Sequence, residues 1–243
     1  MFANGVWEAA GRAEHKQLAG MVENAEKESE ESRAGNRGLI ETERWLEEKK
    51  ENRGAQSEGD TEPDFVSLKR QNPDVIAWIR IPGMRIDEPI VWTTDNESYR
   101  RIGLDGTPDP AGTVFLDYES EPDASDFHSI FYGHHMKDGS RFSELVRLKN
   151  KDFFQKHRTA YLYFPDNKKQ TLRLIAALSA DSDGERRRTE FADRADLYFY
   201  MEEMTAGCWF RELPAEPISH LYSFVTCSYE FADARTIVYA VEE

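Results

Sequence analysis

From about Asp64 onward the apolar residues arrive in short bursts bounded by Gly, Pro, Asn and Asp, the spacing of strands and turns rather than of long helices. The bursts predict strands at Val75–Ile81, Pro89–Trp92, Thr113–Leu116, Ser129–Tyr132, Ala160–Phe164, Thr171–Ser179, His220–Thr226 and Thr236–Val241. Short helical patches fall at Glu97–Ile102, Phe142–Leu148 and Asp152–His157, and a longer helix at Phe191–Thr205, where Phe191, Ala195, Tyr198 and Met201 keep helical spacing. Many short strands with sparse helices point to a closed or nearly closed barrel, because closure removes exposed sheet edges. Before residue 63 the pattern changes. Leu18, Met21, Val22 and Ala25 fall at i, i+3, i+4, i+7, and Leu39–Lys50 is made of good helix formers around Trp45 and Leu46. This stretch reads either as two helices or as a solvated spacer, with Asn52–Pro63 as a linker. The expected division is an extension over 1–63 and a folded domain over 64–243.

The chain's 243 residues suffice for a core without metal or disulfide staples. With 31 Lys+Arg against 46 Asp+Glu the formal charge is −15, which argues against a surface that grips nucleic acid. No apolar run of about 18 residues occurs and no signal-peptide pattern opens the chain, so the sequence reads as soluble. The two cysteines, Cys208 and Cys227, lack zinc-site spacing, and no metal or organic cofactor is expected.

Cys227 ends a predicted core strand, and Arg235 opens the next one after a polar turn. A thiol at a strand end is exposed enough to react, and a guanidinium beside it favours the thiolate and can donate to an oxyanion. Equally, most lone cysteines are small buried hydrophobes. His134 also follows a strand-like run and opens a loop containing the turn signal Asp138-Gly139. Such a thiol needs a histidine, since an unperturbed one is only about 3% ionised at pH 7. Cys208, beside Gly207, Trp209 and Phe210, is expected in the core. His15, His128, His157, His220 and the acidic run Glu26–Glu31 show no partner pattern and are expected to face solvent.

Taken together, Tyr132-Gly133-His134-His135-Met136-Lys137-Asp138-Gly139-Ser140, Ser223-Phe224-Val225-Thr226-Cys227 and Arg235 resemble the signatures of the sortases, in their class B arrangement. Asn72–Gly83, Ile86–Val91 and Ala111–Asp117 resemble the family's early strands, and the likeness spans roughly residues 64–242. The resemblance implies a closed eight-stranded β-barrel with N-terminal helices and one longer helix between late strands. It implies Cys227 as nucleophile, His134 as general acid/base and Arg235 as the group that steadies the substrate carbonyl, with His135 a bystander. Tyr132, Val225, Thr226 and Ser228 would touch the peptide. Two departures stand out: Ser-Phe-Val-Thr-Cys replaces the usual Thr-Leu-x-Thr-Cys, and Val225 stands where class B relatives often carry serine.

The activity so implied is transpeptidation. A C-terminal sorting signal resembling Asn-Pro-x-Thr-Asn/Gly is cleaved after Thr through a thioacyl intermediate and passed to an amine of peptidoglycan or a pilin. Such a protein works at the extracellular face of a Gram-positive membrane, and the sequence then reads as an ectodomain whose anchor is not part of this chain. The rivals are a cysteine peptidase of another class that only hydrolyses, and a non-catalytic surface module with a Cys208–Cys227 disulfide.

Overall fold

A computed structural model of the protein describes residues 62–181, 184–228 and 233–243. The expected helices within 1–61 and nearly all of the expected linker lie outside the described residues. Eight strands close into a barrel: β1 (Val75–Arg80), β2 (Asp87–Val91), β3 (Val114–Leu116), β4 (His128–Tyr132), β5 (Thr159–Tyr163), β6 (Lys169–Ala180), β7 (Leu221–Cys227) and β8 (Arg235–Glu242). Their order around the barrel is β1-β2-β3-β4-β7-β8-β6-β5. The pairs β2/β3 and β4/β7 are parallel and the other six antiparallel. Each strand lies within two residues of the range its hydrophobic pattern predicts.

Period-two alternation explains the layers. In β1, Val75, Ala77 and Ile79 are fully buried while the residues between them are half-exposed. β7 and β8 are buried on both faces, so they read as continuous apolar runs. One face, with Tyr222, Phe224, Val238 and Ala240, joins the interior cluster that Phe131 and Phe142 also enter. The other, with Val225, Ile237 and Tyr239, packs outward against Leu197, Tyr200, Met201 and Met204. A 3-10 turn at Ser143–Lys149 supplies fully buried Leu145 and Leu148 to the interior.

Three α-helices complete the described domain: α1 (Phe65–Gln71), α2 (Lys151–Lys156) and α3 (Arg194–Met204). Each starts where a side chain accepts from otherwise unpaired N–H groups: Asp64 from Val66 and Ser67, Asn150 from Phe153, Asp193 from Ala195 and Asp196. The short α1 is absent from the sequence reading, because its apolar residues Phe65, Val66 and Leu68 resemble another brief burst. The patches at Glu97–Ile102 and Phe142–Leu148 are 3-10 turns at Ser98–Arg100 and Ser143–Lys149. The long helix is trimmed to α3 because Asp193 caps it, so that it begins three residues inside the expected start.

Two of the histidines expected in solvent are buried. His128 is fully covered, its Nδ1 donating to the Arg188 carbonyl (2.7 Å) and its Nε2 accepting from Ser223 Oγ (2.7 Å). His220 pairs with Ser129 Oγ (3.0 Å) and stacks on Tyr222. His128 lies on the face of β4 that α3 covers, against Phe191 and Tyr200, whereas His220, just before β7, lies beside Tyr222 of the interior cluster, placements their isolated positions in the sequence do not reveal.

Candidate active site

The order β4-β7-β8 sets the site. Cys227 is the last residue of β7 and stands directly across the ladder from Arg235, the first residue of β8. On the other flank β4 runs parallel to β7, with Tyr132 opposite Val225, and the Gly133 N–H donates to the Val225 carbonyl (3.1 Å). His134 and Cys227 each lie two residues beyond that last pairing. The middle strand thus carries the thiol, with the imidazole leaving one neighbour and the guanidinium entering the other.

Alternation places Cys227 on the outward face with Val225 and Ile237, and it is partly exposed. Cys208 is buried at 3% exposure in the cluster beneath α3. Both thiols are free, so the module with a Cys208–Cys227 disulfide finds no support. The Arg235 guanidinium donates to the Ala234 carbonyl (3.1 Å), and among the described residues no carboxylate pairs with it. Its remaining donors can therefore serve an oxygen beside Cys227.

His134 is held by its Nε2, which donates to the Arg100 carbonyl at 2.7 Å and leaves Nδ1 as the basic nitrogen of the neutral ring. Burial depresses its pKa below the usual histidine value, and the charges of Arg100, Arg141 and Arg101 push the same way against the Arg100 carbonyl. The ring is neutral at pH 7. His135 donates its Nδ1 to the Cys227 carbonyl at 3.0 Å, a bond to the backbone that carries the thiol. The doubled histidine is the sequence signal for this tether. The loop returns through Arg141, whose backbone pairs with His135 and whose guanidinium donates to Gly112 O (2.9 Å) and Glu88 (2.9 Å).

The four residues expected to touch peptide occupy different places. Tyr132 packs on Phe115 and donates its hydroxyl to Asp117 (2.9 Å). Val225 is 9% exposed at the margin of the α3 cluster. Thr226 and Ser228 alternate toward the barrel interior and are 2% and 6% exposed. Their hydroxyls, with that of Thr236 directly opposite Thr226, are buried without hydrogen-bond partners among the described residues. Among the described residues no group of three His, Cys, Asp or Glu side chains is arranged to hold a metal ion. None of their helices is long and apolar enough to cross a membrane.

No protein-family model matches the chain. Known relatives do. Sortase B of Listeria monocytogenes is 30% identical over 146 residues, covering 60% of this chain and 59% of that protein. Sortase B of Staphylococcus aureus is 27% identical over 143 residues, covering 58% and 57%. The chain thus spans under three fifths of the length of these relatives. Among solved structures, Clostridium perfringens sortase B superposes with a TM-score of 0.69 at 27% identity, over 74% of this chain and 100% of that one. A Streptococcus pyogenes class B sortase involved in pilus biogenesis gives 0.66 at 27% identity, over 74% and 98%. A closed eight-stranded barrel of mixed strands with these likenesses is a sortase barrel. Within that group, these relatives and solved structures support a class B sortase.

Proposed function

We propose that the chain is a cysteine transpeptidase that cleaves a C-terminal sorting signal of the Asn-Pro-x-Thr type after Thr and transfers the new acyl end to an amine. The observation that carries this reading is the strand order that brings Cys227 between His134 and Arg235. The Cys227 sulfur attacks the Thr carbonyl carbon, and Arg235 donates to the oxygen as it gains charge. The C–N bond breaks, and His134 delivers the proton taken from the thiol to the departing amine, leaving a thioester. An incoming amine attacks that thioester, loses a proton to His134, and the thiol is restored. The acceptor is an amine of peptidoglycan or of a pilin, at the outer face of the cell envelope. One amide is exchanged for another, so no oxidant, metal or nucleotide enters the balance.

The test is turnover of a fluorogenic Asn-Pro-x-Thr peptide with and without a glycine-type amine, read by mass spectrometry of the products. The reading expects a new amide only when the amine is present, and no cleavage by Cys227→Ala. Hydrolysis unaffected by any amine supports a peptidase instead, and turnover by Cys227→Ala removes the thiol from the mechanism.

A further inference from the structure

One ion pair with a fully buried carboxylate has no part in this chemistry. Asp117, directly after β3, is fully buried, yet it accepts from Arg187 Nε (2.6 Å) and Nη2 (2.8 Å), Tyr132 OH (2.9 Å), Asn96 Nδ2 (3.1 Å) and the Glu119 N–H (3.0 Å). Burial works to raise its pKa, but Arg187, the Glu119 N–H and Tyr132 together hold it below the usual carboxylate value, so it is charged at neutral pH. Arg187 ends the 3-10 turn Gly184–Arg187, in the excursion between β6 and β7 that continues into α3. Its neighbours bind that excursion to itself and to the barrel wall: Arg186 donates to Met204 O (2.7 Å) and Tyr239 OH (3.0 Å), and Arg188 pairs with Asp196 in the first turn of α3. The Arg188 carbonyl accepts from His128 at the start of β4, and Arg187 is the one of the three whose side chain reaches the carboxylate that follows β3.

What this joins is specific. α3 covers the outward face of β7 and β8 as far as Val225 and Ile237, and Cys227 emerges at the margin of that cover. The excursion therefore covers the barrel face on which Cys227, two residues beyond Val225, also lies. Tyr132, held by the same carboxylate, precedes His134 by two residues. We propose that Asp117 and Arg187 are positioning residues: their ion pair fixes the excursion wall against the strand that presents His134, and so sets affinity for the peptide rather than reactivity at Cys227. This rests on the function proposed above. A peptide entering between two walls already tied together does not have to order one of them, and that ordering otherwise diminishes its binding.

The test is steady-state kinetics of wild type, Arg187→Ala, Arg187→Lys and Asp117→Asn with the fluorogenic Asn-Pro-x-Thr peptide, with active sites counted by thiol titration. Arg187 is about one-third exposed, so its variants can resolvate the lost charge and fold even where Asp117→Asn does not. The expected result is a KM raised about tenfold in Arg187→Ala, less in Arg187→Lys, with kcat within about twofold and an unchanged rate of Cys227 alkylation by iodoacetamide. A purely structural role would lower the titratable fraction and the melting temperature without moving KM. Turnover with unmoved KM, or a loss confined to kcat, overturns the positioning role and leaves the function standing. Absence of wild-type turnover with this peptide overturns both.

Discussion

Gly133, between Tyr132 and His134, is where the packing of the core and the placement of the His134 imidazole meet. Its backbone does not occupy the left-handed region, so conformational freedom is not the reason for glycine. Space is. A Cβ at this position would lie 2.7 Å from Cγ, 2.9 Å from Cδ2 and 3.1 Å from Cβ of Phe142. Ordinary contact needs about 3.4 Å or more, so something must move by roughly half an ångström or further. Phe142 cannot swing aside: it is fully buried, meets Phe224 edge-on with ring centroids 6.1 Å apart, and its N–H donates to the His134 carbonyl at 3.1 Å. The strain must then pass into the backbone at 133 and 134, loosening the Gly133–Val225 bond that registers β4 against β7.

Overpacking of this kind costs about 1–3 kcal/mol, and for a domain of this size each kcal/mol moves Tm by roughly 2–4 °C. Gly133→Ala is thus expected to melt roughly 2–12 °C lower by calorimetry. Its kcat should fall by an order of magnitude or so, because small misplacements of a catalytic group are costly. Gly133→Ala combined with Phe142→Leu, which gives the new methyl room, should recover part of both losses. A Gly133→Ala protein with unchanged Tm and kcat refutes the argument, as does a double variant worse than the sum of its single changes.

Replacing Arg235 with Ala should lower kcat by about 10²–10³ with little change in peptide KM, measured on the fluorogenic substrate; an unaltered kcat would remove it from oxyanion stabilisation. Thr236→Val exchanges a fully buried, unpartnered hydroxyl for a methyl of the same shape and should raise unfolding stability by roughly 1 kcal/mol in urea titrations; destabilisation would mean that the hydroxyl has a partner such as an internal water. Acid sensitivity follows from the buried histidines. Burial lowers the pKa of His128 to about 4 and of His220 to about 3, so the unfolded chain binds more protons and stability is lost as pH falls below about 6.5. Asp126, raised by burial to about 6, takes up a proton on folding in the same range and offsets about one of the two. His128→Gln should therefore lose roughly 3 kcal/mol less than wild type between pH 7 and pH 4, and parallel curves would contradict the assignment.

Hydrophobic periodicity located all eight strands because each must alternate or run apolar to face the two clusters, and that requirement acts on neighbouring residues. Cys227 and Arg235 were readable together for the same reason, since one hairpin places them opposite each other. The link from His134 to Cys227 was not of that kind. It depends on β4 lying parallel to β7, a pairing across more than ninety residues that no local pattern encodes, and only the family resemblance suggested it. Further from the motifs, legibility fails more completely. Asp117 reads in sequence as the polar end of a short strand and Arg187 as the middle of a basic run, the usual marks of solvated residues. Folding buries Asp117 and pairs it with the half-buried Arg187 through two hydrogen bonds. His135 and Gly133 lie between these cases: both stand inside a recognisable motif, yet their reasons for being there, a bond to the Cys227 carbonyl and the ring of Phe142, come from segments about 90 and 9 positions away. Hydrogen bonds and steric fit of this sort impose no period on the chain. A sequence with this pattern thus specifies the barrel and the strand end that carries Cys227 before it specifies the contacts around it, and substitutions at Gly133, His135, Asp117 and Arg187 separate the two.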